Sequence, residues 1–199
     1  MAEIVLSSCS GGIINQVLVD DLRGDKVVGD AKPLADIANF TDAEGDAPTA
    51  TTYETDFNLA YGQAKASWAA LDEELNAVEP LETSRLRDKL VLPLLRSLGF
   101  DPQFQRAHRA AADGTYRISH LGWNGFDAPP LITVPGDLDW STGTRRSPHD
   151  ELQTYLNGAP ADWGIVTNGI HLRVLRDFHH TRTNAYVQFD LAAMLTADS

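Results

Sequence analysis

Asn168-Gly169 stands between two apolar runs, Trp163–Thr167 and Ile170–Leu175. An Asn-Gly pair in that setting is the strongest short-range hairpin signal, because a tight two-residue turn needs positive φ at both positions. The pair therefore predicts antiparallel strands on either side of it. Tyr186–Leu191 supplies a third strand, and a short helix near Leu191–Leu195 closes the chain. Just upstream, Ser147-Pro148 reads as an N-cap followed by proline at the first helical position. That helix runs Pro148–Asn157 and stops at Gly158.

The half before the hairpin is helical. Phe57, Tyr61, Ala64, Trp68, Leu71, Leu75 and Val78 alternate steps of four and three, which lays them along one helix stripe. Pro80 limits that helix. A second helix spans about Ser84 to Leu98, with Ser84 as N-cap, Gly99 as stop and a kink at Pro93. Their short connection predicts an antiparallel pair. After Phe100 come short strands at Gln103–His108, Thr115–Ser119 and Leu131–Val134. Helices first, then a mixed sheet with a β-hairpin, make an α+β (mixed α/β) fold.

Residues before this are weakly patterned. Ile13, Val17 and Leu22 suit a short helix ended by Gly24, and Leu34, Ile37 and Phe40 form a small apolar patch. Residues 41–52 are small, polar and acidic, and read as a loop. This divides the chain into an acidic N-terminal segment, residues 1–52, and a main domain, residues 53–199.

Charge is also uneven along the chain. The 199 residues carry a formal charge of -12, but residues 1–79 hold 15 acids against 4 bases, and residues 80–199 hold 13 against 12. The average argues against a chain that wraps DNA electrostatically, since phosphate binding needs clustered Lys and Arg. The near-neutral remainder leaves a DNA-associated role open. No apolar run approaches the ~18 residues of a membrane span, and the N-terminus lacks the pattern of a signal peptide. One cysteine, Cys9, excludes an internal disulfide and a cysteine-rich metal site. A cytoplasmic protein without membrane partners is expected.

Several chemistries are unsupported. The phosphate-loop, dinucleotide-fingerprint and nucleophile-elbow motifs are all missing. His179-His180 are adjacent without zinc partners at ligand spacing, and read as exposed loop histidines. Asp127-Ala128-Pro129-Pro130-Leu131 approaches the motif with which adenine methylases grip a flipped base. Its alanine breaks the spacing and leucine replaces the stacking ring.

Asp137, Asp139 and Glu151 are the candidate catalytic acids, because acids near strand ends can bind Mg²⁺ and activate water. A nuclease of the PD-(D/E)XK type also needs a lysine two residues after its second acid. The last lysine in this chain is Lys89. Arginine stays protonated and makes a poor substitute base. Arg145 and Arg146, with His171 and Arg173 on one face of the second hairpin strand, are candidate phosphate contacts.

Beyond these readings, the segment from Arg145-Arg146-Ser147-Pro148-His149 through Glu151-Leu152-Gln153-x-Tyr155-Leu156-Asn157 is distinctive. So are Trp163-Gly164-Ile165-Val166-Thr167-Asn168-Gly169, Leu172-Arg173-x-Leu175-Arg176-Asp177 and Ala185-Tyr186-Val187-Gln188-Phe189-Asp190-Leu191. Together they resemble the N-terminal region of adenine-specific DNA methylases of the type IIG restriction–modification kind, including phage-defence methylases of BREX and DISARM islands. Residues 53–199 share the resemblance, with Trp163, Asn168 and Gly169 as its structural motif. It implies a degenerate PD-(D/E)XK nuclease-like domain. In the family S-adenosylmethionine serves a downstream methylase domain, so this segment needs no cofactor of its own, and Mg²⁺ only if it cleaves.

The expected function is a non-catalytic N-terminal module that docks on a downstream methylase domain or another defence-system subunit, with DNA as a candidate partner. A Mg²⁺-dependent endonuclease domain is one alternative. Another is a stand-alone acidic accessory or inhibitor whose N-terminal segment imitates DNA charge. This segment is not expected to be catalytic by itself, whereas the resemblance implies site-specific adenine methyl transfer for full-length members of the family.

Overall fold

Side-chain alternation along the central strands decides what covers each side of the sheet. The computed structural model describes residues 6–10, 50–75, 82–106, 108–111, 114–143, 145–177 and 186–196. The expectations for Ile13–Leu22, Leu34–Phe40, Val78, Pro80 and His179-His180 lie outside these residues.

In chain order the elements are β1 (Leu6–Ser10), α1 (Ala50–Ala69), the single turn α2 (Asp72–Leu75) and a composite helix α3. Helix α3 joins Thr83–Leu86, a π-helical stretch Arg87–Val91, and Leu92–Ser97. Then come β2 (Gln103–Phe104), β3 (Arg109–Ala111), β4 (Gly114–Tyr116), β5 (His120–Leu121), β6 (Pro130–Thr133) and α4 (Pro148–Leu156). The last four are β7 (Trp163–Thr167), β8 (His171–Arg176), β9 (Tyr186–Asp190) and α5 (Leu191–Thr196). The main sheet has the order β1-β9-β8-β7-β6-β5-β2, and β3 and β4 form a separate ribbon. Among the described strands only β6 and β7 run parallel, joined through α4; the other pairings are antiparallel. The chain is thus a mixed α/β protein with a mixed sheet and a central hairpin. Among the described residues no helix is long and apolar enough to cross a membrane.

Leu131, Ile165 and Leu172 point to one side, where they meet Trp68 of α1, Leu86, Leu90 and Leu95 of α3, and Leu195 of α5. Their sequence neighbours Ile132 and Val166, with Leu175, point to the other side and pack on Leu152, Tyr155 and Leu156 of α4. Period-two alternation of buried residues on both faces is what a sheet covered by helices on each side requires.

The first helix is shorter than its stripe suggests. It starts at Ala50, inside the segment read as loop, and breaks after Ala69. Leu71 N–H then bonds back to the Trp68 carbonyl at 2.9 Å, a tighter turn that still buries Leu71. The acids that follow, Asp72 to Glu74, open a new helical turn, where the helix dipole favours negative charge.

In α3 the helix begins at Thr83, so Ser84 is not the N-cap; its hydroxyl lies 3.4 Å from the Glu82 carboxylate instead. The disturbance expected at Pro93 takes the form of the π-helical stretch immediately before it. Proline offers no N–H and its ring crowds the preceding turn, which a wider i→i+5 turn relieves. The end is as expected. Gly99 adopts φ +87°, Phe100 N–H reaches the Leu95 carbonyl and Gly99 N–H the Arg96 carbonyl, both at 3.0 Å. That pair of bonds is a Schellman cap.

Two strand expectations are revised: Gln103–His108 contracts to β2, and Thr115–Ser119 pairs in the small ribbon through β4. His120–Leu121, outside every expected strand, joins the main sheet. Strand β1, for which the sequence offered no pattern, adds an edge beside β9.

Helix α4 starts as its sequence dictates. Ser147 Oγ accepts from Asp150 N–H at 3.0 Å, and Pro148 occupies the first turn. Ser147→Ala should therefore cost about 1 kcal/mol, read as a lowered urea midpoint at unchanged slope.

The hairpin turn differs in register from the expectation. Asn168 N–H donates to the His171 carbonyl at 3.2 Å, so the central pair is Gly169-Ile170. Asn168 stands at the turn entry, where its Oδ1 accepts from Ile170 N–H at 3.1 Å and His171 N–H at 2.7 Å. Its side chain replaces a backbone acceptor, as Asx residues do. Gly169 takes φ +84° at the first central position, where a type II′ turn has its glycine.

Candidate functional site

The connection from β6 to α4 carries most of the chemistry the sequence singled out. Buried Leu138 pins it to the core beneath α4, and Asp137 Oδ1 accepts from Asp139 N–H at 2.9 Å. This turns the Asp139 carboxylate toward β8. There Arg173 donates to it twice, at 2.6 and 2.7 Å. The same guanidinium donates through Nε to Gln188 Oε1 at 2.5 Å, and lies 4.7 Å over the Tyr186 ring. Its Nη1 is 3.3 Å from His149 Nδ1. The hydrogen bonds from Arg173 outweigh burial and hold the Asp139 carboxyl below its ordinary range, while Asp139 raises the Arg173 pKa further.

Glu151 is only 8% exposed, on the first turn of α4. Its Oε1 accepts from Arg117 backbone N–H at 2.9 Å and from Arg117 Nε at 3.1 Å, and Oε2 pairs with Arg117 Nη2. Burial alone would raise its pKa, but these bonds win and hold it low. Both carboxylates are therefore ionised at neutral pH, and each is paired with a guanidinium group.

The three candidate acids consequently have separate surroundings. Asp137 is exposed, Asp139 belongs to Arg173, and Glu151 belongs to Arg117. Among the described residues no group of three Asp, Glu, His or Cys side chains is placed to hold a metal ion.

The phosphate-contact candidates also separate. Arg145 and Arg146 are exposed, His171 is half-buried at the start of β8, and Arg173 is buried with its donors turned inward. Strand alternation puts His171 and Arg173 on one face, but that face packs against α4, so Arg173 serves the interior.

Two arginines that sequence reasoning did not single out stand nearer to Arg145 and Arg146. Arg109 of β3 lies opposite Tyr116 of β4, and Arg117 is the next residue. Arg146 lies 5.8 Å over the Tyr116 ring and 3.4 Å from its hydroxyl. Tyr116 in turn meets Tyr155 of α4 edge-on at 5.6 Å, and Arg109 Nε is 3.5 Å from the Tyr155 hydroxyl. Tyr116-Arg117-Ile118 did carry an alternation signal, with the two apolar residues inward. Nothing local could link it to Glu151, 34 positions away.

Of the structural motif, Trp163 opens β7 half-exposed under the Arg176 guanidinium at 5.4 Å, and Asn168 and Gly169 build the hairpin turn. A cavity of about 280 Å³ lies between α1, the end of α3, α5 and the sheet. Its lining is apolar, including Ala64, Leu95, Leu172 and Phe189, and the one hydroxyl, on Tyr61, donates to the Met194 carbonyl at 2.7 Å. It offers none of the convergent polar groups a catalytic pocket needs.

Comparison with known protein families, curated proteins and solved structures finds no match for this chain.

Proposed function

We propose that this chain is a non-catalytic module of a DNA restriction–modification or phage-defence adenine methylase, serving to dock on the methylase core and position it near DNA. The resemblance of residues 53–199 to the N-terminal region of those enzymes supports the reading. The observation that carries it is the engagement of Asp139 and Glu151 by two different arginines. Each carboxylate is drawn into an arginine pair in a different part of the fold, so the two are not gathered around a common metal position. No lysine follows Lys89 to assist an attacking water. In this reading S-adenosylmethionine and methyl transfer belong to the downstream domain or a partner subunit.

The test has two arms. The purified chain should leave supercoiled plasmid intact in Mg²⁺ and in Mn²⁺; nicking that disappears in Asp139→Ala would establish the nuclease alternative instead. The coding sequence beyond the Ser199 codon, or the adjacent gene, should carry an Asn-Pro-Pro-aromatic motif. Its absence from both would remove the methylase connection.

A further inference from the structure

Protein interiors are close-packed, and voids larger than a water molecule are few. The cavity between α1, the end of α3, α5 and the sheet departs from that rule at about 280 Å³. Wall atoms that face a void lack dispersion partners, and the cost of a void grows with its volume. The floor is the sheet face, where Ile165 and Leu172 are buried. Phe189 of β9, also in the lining, is half-buried, and Leu98, just past α3, is 51% exposed. Burial falls from floor to rim, so the cavity opens to solvent beside the end of α3.

Small side chains on one wall keep the space open. Ala60 and Ala64 of α1 line it one helical turn apart, and a larger side chain at either position would occupy part of it. The Tyr61 hydroxyl donates to the Met194 carbonyl at 2.7 Å, which ties α1 to α5 through a hydrogen bond without closing the space beside them. Water is a poor occupant. A buried water makes about two to four hydrogen bonds, and the lining is apolar apart from that hydroxyl. An apolar cavity of about 150 Å³ holds benzene, so this one has room for about eight to ten carbons. A helix, about 10 Å across with its side chains, does not enter such a space.

We propose that this cavity binds a small neutral molecule whose hydrocarbon part fills it, with any polar end left at the rim beside Leu98. The site lies on the α1 and α3 side of the sheet, whereas Glu151, and Arg173 with Asp139, belong to the side covered by α4. The inference goes beyond the proposed function and needs neither DNA nor a methylase.

Calorimetric titration of the full chain with octanol tests it, against an octanediol of the same length with a hydroxyl at each end. Octanol should bind saturably, one molecule per chain, and raise the melting temperature as its concentration rises. The diol must bury a hydroxyl that finds no partner or leave the space part-filled, and should bind at least about tenfold more weakly. Ala60→Leu and Ala64→Leu each fill the space from α1 and should each weaken octanol binding at least about tenfold. Thermal melts show that the variants are folded, and the use of two positions keeps the test intact if one is not. Leu59→Ser removes an exposed apolar side chain of α1 outside the cavity and should leave octanol binding unchanged. Absence of saturable octanol binding would overturn the inference and leave the space to an apolar side chain of a partner. Equal affinity for octanol and the diol, or parental affinity in a folded leucine variant, would also overturn it, because octanol would then be resting on exposed surface.

Discussion

Gly169→Ala should destabilise the folded chain by about 3 kcal/mol. Two effects combine. At φ +84° a side chain is strained, which costs about 1–2 kcal/mol for a non-glycine residue. The added Cβ would also run into Leu86 Cδ1. Leu86 is fully buried in the core on the α3 side of the sheet. Making room means displacing a packed side chain, at about 1–3 kcal/mol. The two contributions can be separated. Leu86→Ala on its own should destabilise by about 2–5 kcal/mol, but in its presence Gly169→Ala should cost only the backbone term. Urea unfolding of the four proteins gives the coupling energy. Additive losses would show that the turn glycine matters for its dihedral alone.

Arg117→Ala should cost about 2–3 kcal/mol at neutral pH, because it leaves Glu151 buried without its guanidinium. Among the described residues the Arg117 backbone N–H would still reach the carboxylate. The arginine side chain is itself 38% exposed and returns to water easily, which keeps the loss below that of a wholly buried pair. The pH dependence identifies the cause. In the parent chain the folded Glu151 pKa lies below its unfolded value. Its contribution is therefore fully present above the unfolded pKa and is lost as pH falls through the folded one. Without Arg117 the balance reverses: burial dominates, the folded pKa rises, and protonation relieves the buried charge. The difference in unfolding free energy between parent and variant should accordingly shrink between about pH 7 and about pH 4.5. A difference that stays constant over that range would mean that Arg117 acts through packing, not charge.

Much of the fold was legible because its signals are local. Ser147-Pro148 opened α4 as read, Gly99 closed α3, and β7 runs over the residues expected of it. Each of these depends on groups within a few positions, where dihedral preference and hydrogen-bond reach suffice. The apolar stripe through Ala64, Trp68 and Leu71 likewise identified the buried side of α1, although the break after Ala69 went unread. Even the hairpin shows the limit. Asn-Gly announced the turn, but which residues occupy its centre was decided by the Asn168 side chain bonding to Ile170 and His171.

The candidate site was legible as residue types and not as partnerships. The sequence by itself determined an α/β fold with a hairpin, an acidic first third, and acids and arginines close to the start of α4. Only the tertiary structure decided that Asp139 binds Arg173 and Glu151 binds Arg117, each across 34 positions. It also brought Arg109 beside Tyr155, 46 positions away. The physical reason is that a charge has no preferred partner along the chain. Strand order, the placement of α4 over one sheet face and the docking of the β3–β4 ribbon determine which opposite charge it meets. The same packing turned Glu151 and Arg173 inward and left Arg145 and Arg146 exposed.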